Sequence, residues 1–183
     1  YDSTMIDFEV PKRYGLRQTI ADTLGIGGIF RTLRTLPVMW EFARDIEDVC
    51  PNAWMLNYTN PQATLIMGMS RATDVRCVGL CHSVQGNARG LLGRLGMLDD
   101  VAELHWRVAG INHMSWFLAF THNGEDAYPR LREAMKDEEN YAGNPVRFDI
   151  LREFGYFVTE SSRHMGEYVP WYQHEPEVLK QFE

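Results

Sequence analysis

The sequence predicts an α/β fold built on a parallel sheet, and three observations carry that prediction. Short apolar runs alternate with segments of helical periodicity, each run ends at a polar tip, and glycine or proline marks the joins. Residues 53–58 form the first such run and meet Thr59-Asn60-Pro61. Residues 62–71 read as the helix that follows, with Pro61 near its first turn. Residues 75–80 form a second strand that ends at Cys81-His82-Ser83, and residues 84–98 read as a helix despite internal glycines. Residues 105–109 form a third strand, followed by Gly110-Ile111-Asn112-His113, and residues 116–121 a fourth. Ligands of parallel sheets bind beyond the carboxyl ends of the strands. The tips carrying Asn60, Cys81-His82 and Asn112-His113 are therefore expected to converge on one cleft.

The remaining segments are read in the same way. Residues 7–19 mix Pro11, Tyr14 and Gly15 with charge and predict a loop. Gly25, Gly27 and Gly28 fit either tight backbone beside a ligand or a plain turn; no GxGxxG pattern is formed and no strand precedes them. Leu33, Leu36, Trp40, Ala43, Ile46 and Val49 recur at helical spacing, and Pro37 places the expected helix start near itself. Asn123-Gly124 signals a turn, and residues 127–141 predict one charged, solvent-facing helix. Gly143-Asn144-Pro145 breaks it, and a helix over 146–154 ends at Gly155.

Composition limits the function classes. The 183 residues, 45% hydrophobic and 23% charged, suit one domain and are marginal for two, which excludes a disordered chain. A net charge of -7 opposes a generic grip on nucleic acid. No run approaches the ~20 apolar residues of a membrane span, and no signal peptide pattern opens the chain. Three cysteines, an odd number, point to a reducing compartment, so a cytoplasmic location is expected. The chain opens on Tyr1-Asp2-Ser3-Thr4 and stops at Gln181-Phe182-Glu183 inside a helix-like acidic run, which predicts a piece of a longer protein.

The polar tips hold the candidate chemistry. Cys81 and His113 suit an open metal site that leaves positions for water and substrate oxygens. They equally suit a small buried hydrophobe and a satisfied core histidine. A closed zinc site using Cys77 is disfavoured, because Cys77 lies in mid-strand. A thiol hydrolase lacks a supporting oxyanion motif. Glu160 and His164 lie four apart, on one face if the segment is helical, and suit proton exchange or a surface ion pair. Tyr156 and Tyr168 read as bases beside a cation or as packed phenols.

Motifs along the chain resemble those of glycoside hydrolase family 4, in its branch of α-galactosidases and galacturonate-cleaving enzymes. They include Asp7-Phe8-Glu9-Val10-Pro11, Asp22-Thr23-Leu24-Gly25, Arg34-Thr35-Leu36-Pro37 and Leu56-Asn57-Tyr58-Thr59-Asn60-Pro61. More specific are Gly79-Leu80-Cys81-His82-Ser83-Val84-Gln85-Gly86, Ala109-Gly110-Ile111-Asn112-His113-Met114 and Phe154-Gly155-Tyr156-Phe157-Val158-Thr159-Glu160-Ser161-Ser162.

The resemblance implies a Rossmann-like parallel sheet lacking its N-terminal nucleotide-binding part, leading into an α+β domain for substrate and metal. The expected division is 1–109 and 110–183, with the second domain incomplete. NAD and Mn2+ are the implied cofactors. NAD takes hydride from C3 of the sugar, a base removes the C2 proton, the aglycone leaves by elimination, water adds at C1 and hydride returns. The implied metal ligands are Cys81 and His113. Asn60 contacts sugar and cofactor, and His82 and Asn112 orient substrate. Tyr156 is the implied base, with Glu160 and His164 also suited to acid or base work. The substrate is an α-galactoside or, alternatively, a galacturonide, for which Arg163 and Arg89 are candidate partners. An NAD-dependent sugar dehydrogenase is a further reading, and an inactive binding or assembly module another. The isolated chain is expected to be inactive and its parent to be a homodimer or homotetramer.

Overall fold

A computed structural model describes residues 2–16, 18, 20, 23–97 and 103–173. Asp22, the end of the predicted 84–98 helix and the acidic run before Glu183 lie outside the described residues. By packing, the chain divides into two compact units, Tyr1–Cys81 and His82–Glu183. The division expected between residues 109 and 110 falls inside a strand of the second unit.

The first unit comprises α1 (Asp2–Lys12), α2 (Gly25–Val49), β1 (Trp54–Asn57), α3 (Gln62–Ala72) and β2 (Arg76–Gly79). β1 and β2 pair in parallel, from Trp54 opposite Arg76 to Asn57 opposite Gly79, with α3 as the crossover. This is the strand–helix–strand unit that the sequence predicts. Met39, Ala43, Leu65, Met69 and Val75 form its core, with Leu36, Trp40 and Met55 packed against them. β1 leaves Trp54 and Leu56 exposed.

Two expectations fail here for non-local reasons. Residues 7–12 are helical, not loop, because Asp7 is buried and its carboxylate accepts from both terminal nitrogens of Arg34 on α2. Pro11 is accommodated in the last turn of α1. The helix expected to begin near Pro37 instead runs through it. A proline there removes one helical hydrogen bond, but both halves of α2 are held on α3. Thr32 and Thr64 join their hydroxyls at 2.7 Å, and the Trp40 indole donates to the Gly68 carbonyl at 3.4 Å. A Cβ at Gly68 would lie 2.6 Å from Leu36 Cδ2, so a larger residue there would push the Leu36 side chain aside. The Gly25–Gly28 cluster opens α2 and follows no strand.

The second unit comprises α4 (Ser83–Arg94), β3 (Leu104–Ile111), β4 (Met114–His122), β5 (Glu125–Asp126), α5 (Tyr128–Ala134), α6 (Glu138–Gly143), α7 (Pro145–Phe154), β6 (Phe157–Val158) and α8 (Ser162–Tyr168), then a 3-10 turn at Pro170–Tyr172. β4 pairs antiparallel with β3, β5 and β6. The third and fourth predicted strands thus exist but do not extend the parallel sheet. Asn112-His113 is a two-residue turn, and a parallel neighbour needs a crossover of a dozen or more residues. Across from Arg107 and Val108, β4 carries one extra residue, Leu118, which shifts its alternation by one, so Phe117 and Phe120, three apart, face the same core.

The single helix expected over 127–141 is two. The Asp137 carboxylate caps α6 by accepting from Asn140 N–H at 2.9 Å. α5 is not wholly solvent-facing, since it buries Tyr128 and Leu131. α7 ends where predicted, at Gly155 in the left-handed region. Phe117, Phe120, Phe148 and Phe157 centre one cluster, and Val146, Ile150, Val158 and Met165 a second. No helix among the described residues is long and apolar enough to cross a membrane.

Candidate functional site

The β3–β4 turn builds the polar centre of the second unit. Gly110 has φ +138, and a Cβ there would meet Met114 O at 2.4 Å, so the chain closes tightly just before the turn. His113 has φ +58, a left-handed conformation that costs a non-glycine residue roughly 1–2 kcal/mol. That strain turns the imidazole into the protein, where His113 is only 8% exposed.

Side chains of the second unit lie against the ring. Tyr168 Oη lies 3.3 Å from Nδ1. Glu160 Oε1 lies 4.0 Å from Nε2. The His164 ring stands edge-on at 5.5 Å between centroids. Tyr168 and His164 come from α8, and Glu160 from the connector between β6 and α8. The sequence expectation that Glu160 and His164 share a helix face is not met, since α8 begins at Ser162. Nor is Glu160 part of a surface ion pair: it is 3% exposed. His164 instead pairs its Nδ1 with Ser161 Oγ at 3.1 Å.

The connector carrying Glu160 is held at several points. Thr159 N–H donates to Ser115 O at 3.0 Å, and the two hydroxyls join at 2.7 Å. Arg147, 3% exposed, donates to Val158 O at 3.0 Å and to Asn144 Oδ1 at 3.4 Å. Its guanidinium lies 4.3 Å from the Phe157 ring centroid. Burial pushes the Arg147 guanidinium down to about 9, while the Glu160 charge pulls it back up. It therefore remains a cation at neutral pH.

Of the remaining predicted residues, Asn112 is half-buried beside His113 in the turn. His82 is exposed and precedes α4. Tyr156 is exposed, and its ring stands edge-on to Tyr128 at 6.1 Å. In the first unit, Asn60 follows β1; its Oδ1 accepts from Gln62 N–H and its carbonyl from Arg31 Nε. Cys81 follows β2, is half-buried and is in no disulfide. Asn60 and Cys81 follow the paired parallel strands β1 and β2, whereas His113 lies on an antiparallel hairpin. No sequence motif marks Arg147.

His113 and Glu160 offer an imidazole nitrogen and a carboxyl oxygen close enough to share one cation. This donor set fits a divalent transition ion. The Gly25–Gly28 cluster opens α2, where Gly27 and Gly28 are buried.

Comparison with known proteins identifies the family. The model described as family 4 glycosyl hydrolase matches residues 1–97, and that of the family 4 glycosyl hydrolase C-terminal domain matches 108–183. The chain belongs to glycosyl hydrolase family 4. It is 51% identical to an alpha-galactosidase of Bacillus subtilis over 99% of this chain and 42% of that protein. It is 31% identical to an alpha-galacturonidase of Lachnoclostridium phytofermentans over 93% of this chain and 41% of that protein. Among solved structures, a 6-phospho-alpha-glucosidase from gut microorganisms, in complex with NAD and Mn2+, superposes with a TM-score of 0.74 at 24% identity, over 94% of this chain and 42% of that one. That match shows the fold, which is α/β with the parallel unit first. The chain spans less than half the length of these relatives.

Proposed function

We propose that the protein carrying this chain is an α-galactosidase that works with NAD and a divalent cation, manganese first, by oxidation, elimination, addition and reduction. The observation that carries the reading is 51% identity to an alpha-galactosidase across 99% of the chain. The buried His113–Glu160 pair supports it independently, as a donor set without an evident packing role. When bound, NAD supplies reversible hydride acceptance at sugar C3, and the cation supplies Lewis-acid polarisation of the C2 and C3 oxygens.

The residues of this chain then have distinct tasks. His113 would hold the cation, with Glu160 beside it, and Cys81 would be a further ligand, as the resemblance implies. Cys81 ends the β2 tip and, as a thiolate, makes the site dependent on reductant. His164, with Nδ1 on Ser161, keeps Nε2 for proton exchange at C2. Tyr156, exposed after Gly155, is the alternative base. Asn60 contacts sugar and cofactor, and its amide donates to one hydroxyl while accepting from another. His82 and Asn112 orient the substrate. The protein is proposed to be cytoplasmic and a dimer or tetramer, with its functional division near residues 109–110, close to where the C-terminal family model begins at 108.

A galacturonide is the second reading, favoured by the 31% identity to an alpha-galacturonidase. Arg89 and Arg163 are exposed cations on α4 and α8 that suit a uronate carboxylate.

The test uses the full-length protein with p-nitrophenyl α-galactoside and α-galacturonide, omitting NAD, Mn2+ and reductant in turn. Galactoside cleavage that needs all three is expected, with C2 deuterium of the substrate lost to water. Cleavage without NAD, or with the C2 label retained, would overturn the reading in favour of direct displacement. Net NADH accumulation would point to a dehydrogenase.

A further inference from the structure

Arg147 touches the Glu160 connector at both ends. Its guanidinium donates to Val158 O, two residues before Glu160, and its backbone N–H donates to Ser162 Oγ at 3.3 Å, two residues after. Between these anchors, Thr159 is tied to Ser115 on β4, the strand that begins one residue after His113. The connector is thus clamped against the hairpin that presents His113.

The charge is as informative as the geometry. A buried cation is expensive, and an apolar side chain of similar size is often neutral or stabilising in its place. Arg147 is not in an ion pair within 4.0 Å among the described residues, and its Nε has no hydrogen-bond partner there. The charge of Glu160, also buried, favours the Arg147 cation, while that of Arg94 opposes it. Simple packing against Phe157 would be served by Met or Leu without this expense.

We propose that Arg147 is a positioning residue of the cation site: its guanidinium pins the Val158 carbonyl at the head of the connector and so keeps Glu160 facing His113. The inference rests on the reading of His113 and Glu160 as cation ligands. It assigns Arg147 no contact with substrate or cofactor.

The experiment measures Mn2+ affinity, by the free-ion signal in electron paramagnetic resonance, on the full-length protein and its Arg147→Met, Arg147→Lys, Glu160→Gln and Arg147→Met/Glu160→Gln variants. Thermal midpoints are recorded without metal. Arg147→Met is expected to weaken Mn2+ binding about 10–100-fold, as for other residues that orient ligands. Arg147→Lys, which keeps the charge but not the two-point fork, falls between. In the Glu160→Gln background, Arg147→Met adds little further loss, because its route to the metal is already gone. Equal Mn2+ affinity in wild type and a folded Arg147 variant would overturn the proposal while sparing the metal reading. So would losses that add fully in the double variant, which would mean a general structural role. If Arg147→Met does not fold, Arg147→Lys alone decides. Absence of Mn2+ binding by the wild type would overturn the metal reading and this inference with it.

Discussion

The phenol of Tyr168 and the imidazole of His113 are joined at 3.3 Å between Oη and Nδ1. With Nδ1 engaged on α8, Nε2 is the nitrogen that faces Glu160. A partner on the second ring nitrogen fixes both tautomer and ring orientation of a ligating histidine. Tyr168→Phe should therefore weaken Mn2+ binding by about tenfold. Tyr168 is half-buried, so the midpoint of unfolding without metal should move little. Calorimetric titration with Mn2+ beside a melting curve separates the two effects. Unchanged affinity would mean that the hairpin strain alone holds His113.

Cys81 ends the parallel strand β2 and is in no disulfide. As a proposed thiolate ligand it is open to oxidation, and sulfenic or disulfide sulfur no longer binds the metal as a thiolate does. Cys81→Ser in the full-length protein should lower Mn2+ retention and glycosidase activity together. It should also abolish the recovery of activity that reductant gives the oxidised wild type. Retention and activity both at wild-type levels would remove Cys81 from the cation site.

Local signals carried much of this structure, and non-local ones explain the rest. The 53–58 and 75–80 runs, Pro61 and Gly155 are read correctly because apolar runs and helix stops act over a few residues. The α1 helix depends on Asp7 meeting Arg34, 27 positions away, which no local pattern records. The antiparallel turn of the β3–β4 hairpin hinges on His113 at positive φ, a residue type the turn rules do not favour. Among the candidate residues, His113 and Glu160 stand out by side-chain chemistry. Arg147 does not, since a helical arginine reads as solvent-facing until its burial is known.

Tyr128 ties the sheet of the second unit to α5. Its hydroxyl donates to Phe117 O on β4 and accepts from Phe157 N–H on β6 at 3.0 Å. Tyr128 is 6% exposed, so Phe in its place leaves both backbone groups buried without this partner. The expected loss is about 1–3 kcal/mol of unfolding free energy. Urea unfolding of wild type and Tyr128→Phe measures it. A change under about 0.5 kcal/mol would mean that water or relaxed backbone replaces the hydroxyl.

Tyr172 supplies a pH signature for the packing of the 3-10 turn on α7. Its hydroxyl donates to Asp149 Oδ2 at 2.7 Å. Burial first, and the Asp149 hydrogen bond second, hold the phenol protonated well above the ordinary tyrosine range. A phenol whose folded pKa exceeds its unfolded value of about 10 stabilises the fold fully below pH 10. That contribution is lost as pH rises from there toward the folded value, because the unfolded chain ionises first. Wild type should therefore exceed Tyr172→Phe in stability by about 1.5–3 kcal/mol at pH 7, the range for a hydrogen bond to a charged group. The difference should shrink steadily above pH 10. Tyr128, also shifted upward by burial, titrates in both proteins and cancels from the comparison. Urea unfolding at a series of pH values between 7 and 11 is the measurement. Parallel stability curves across that range would show that the Tyr172 hydroxyl gains nothing from Asp149 on folding.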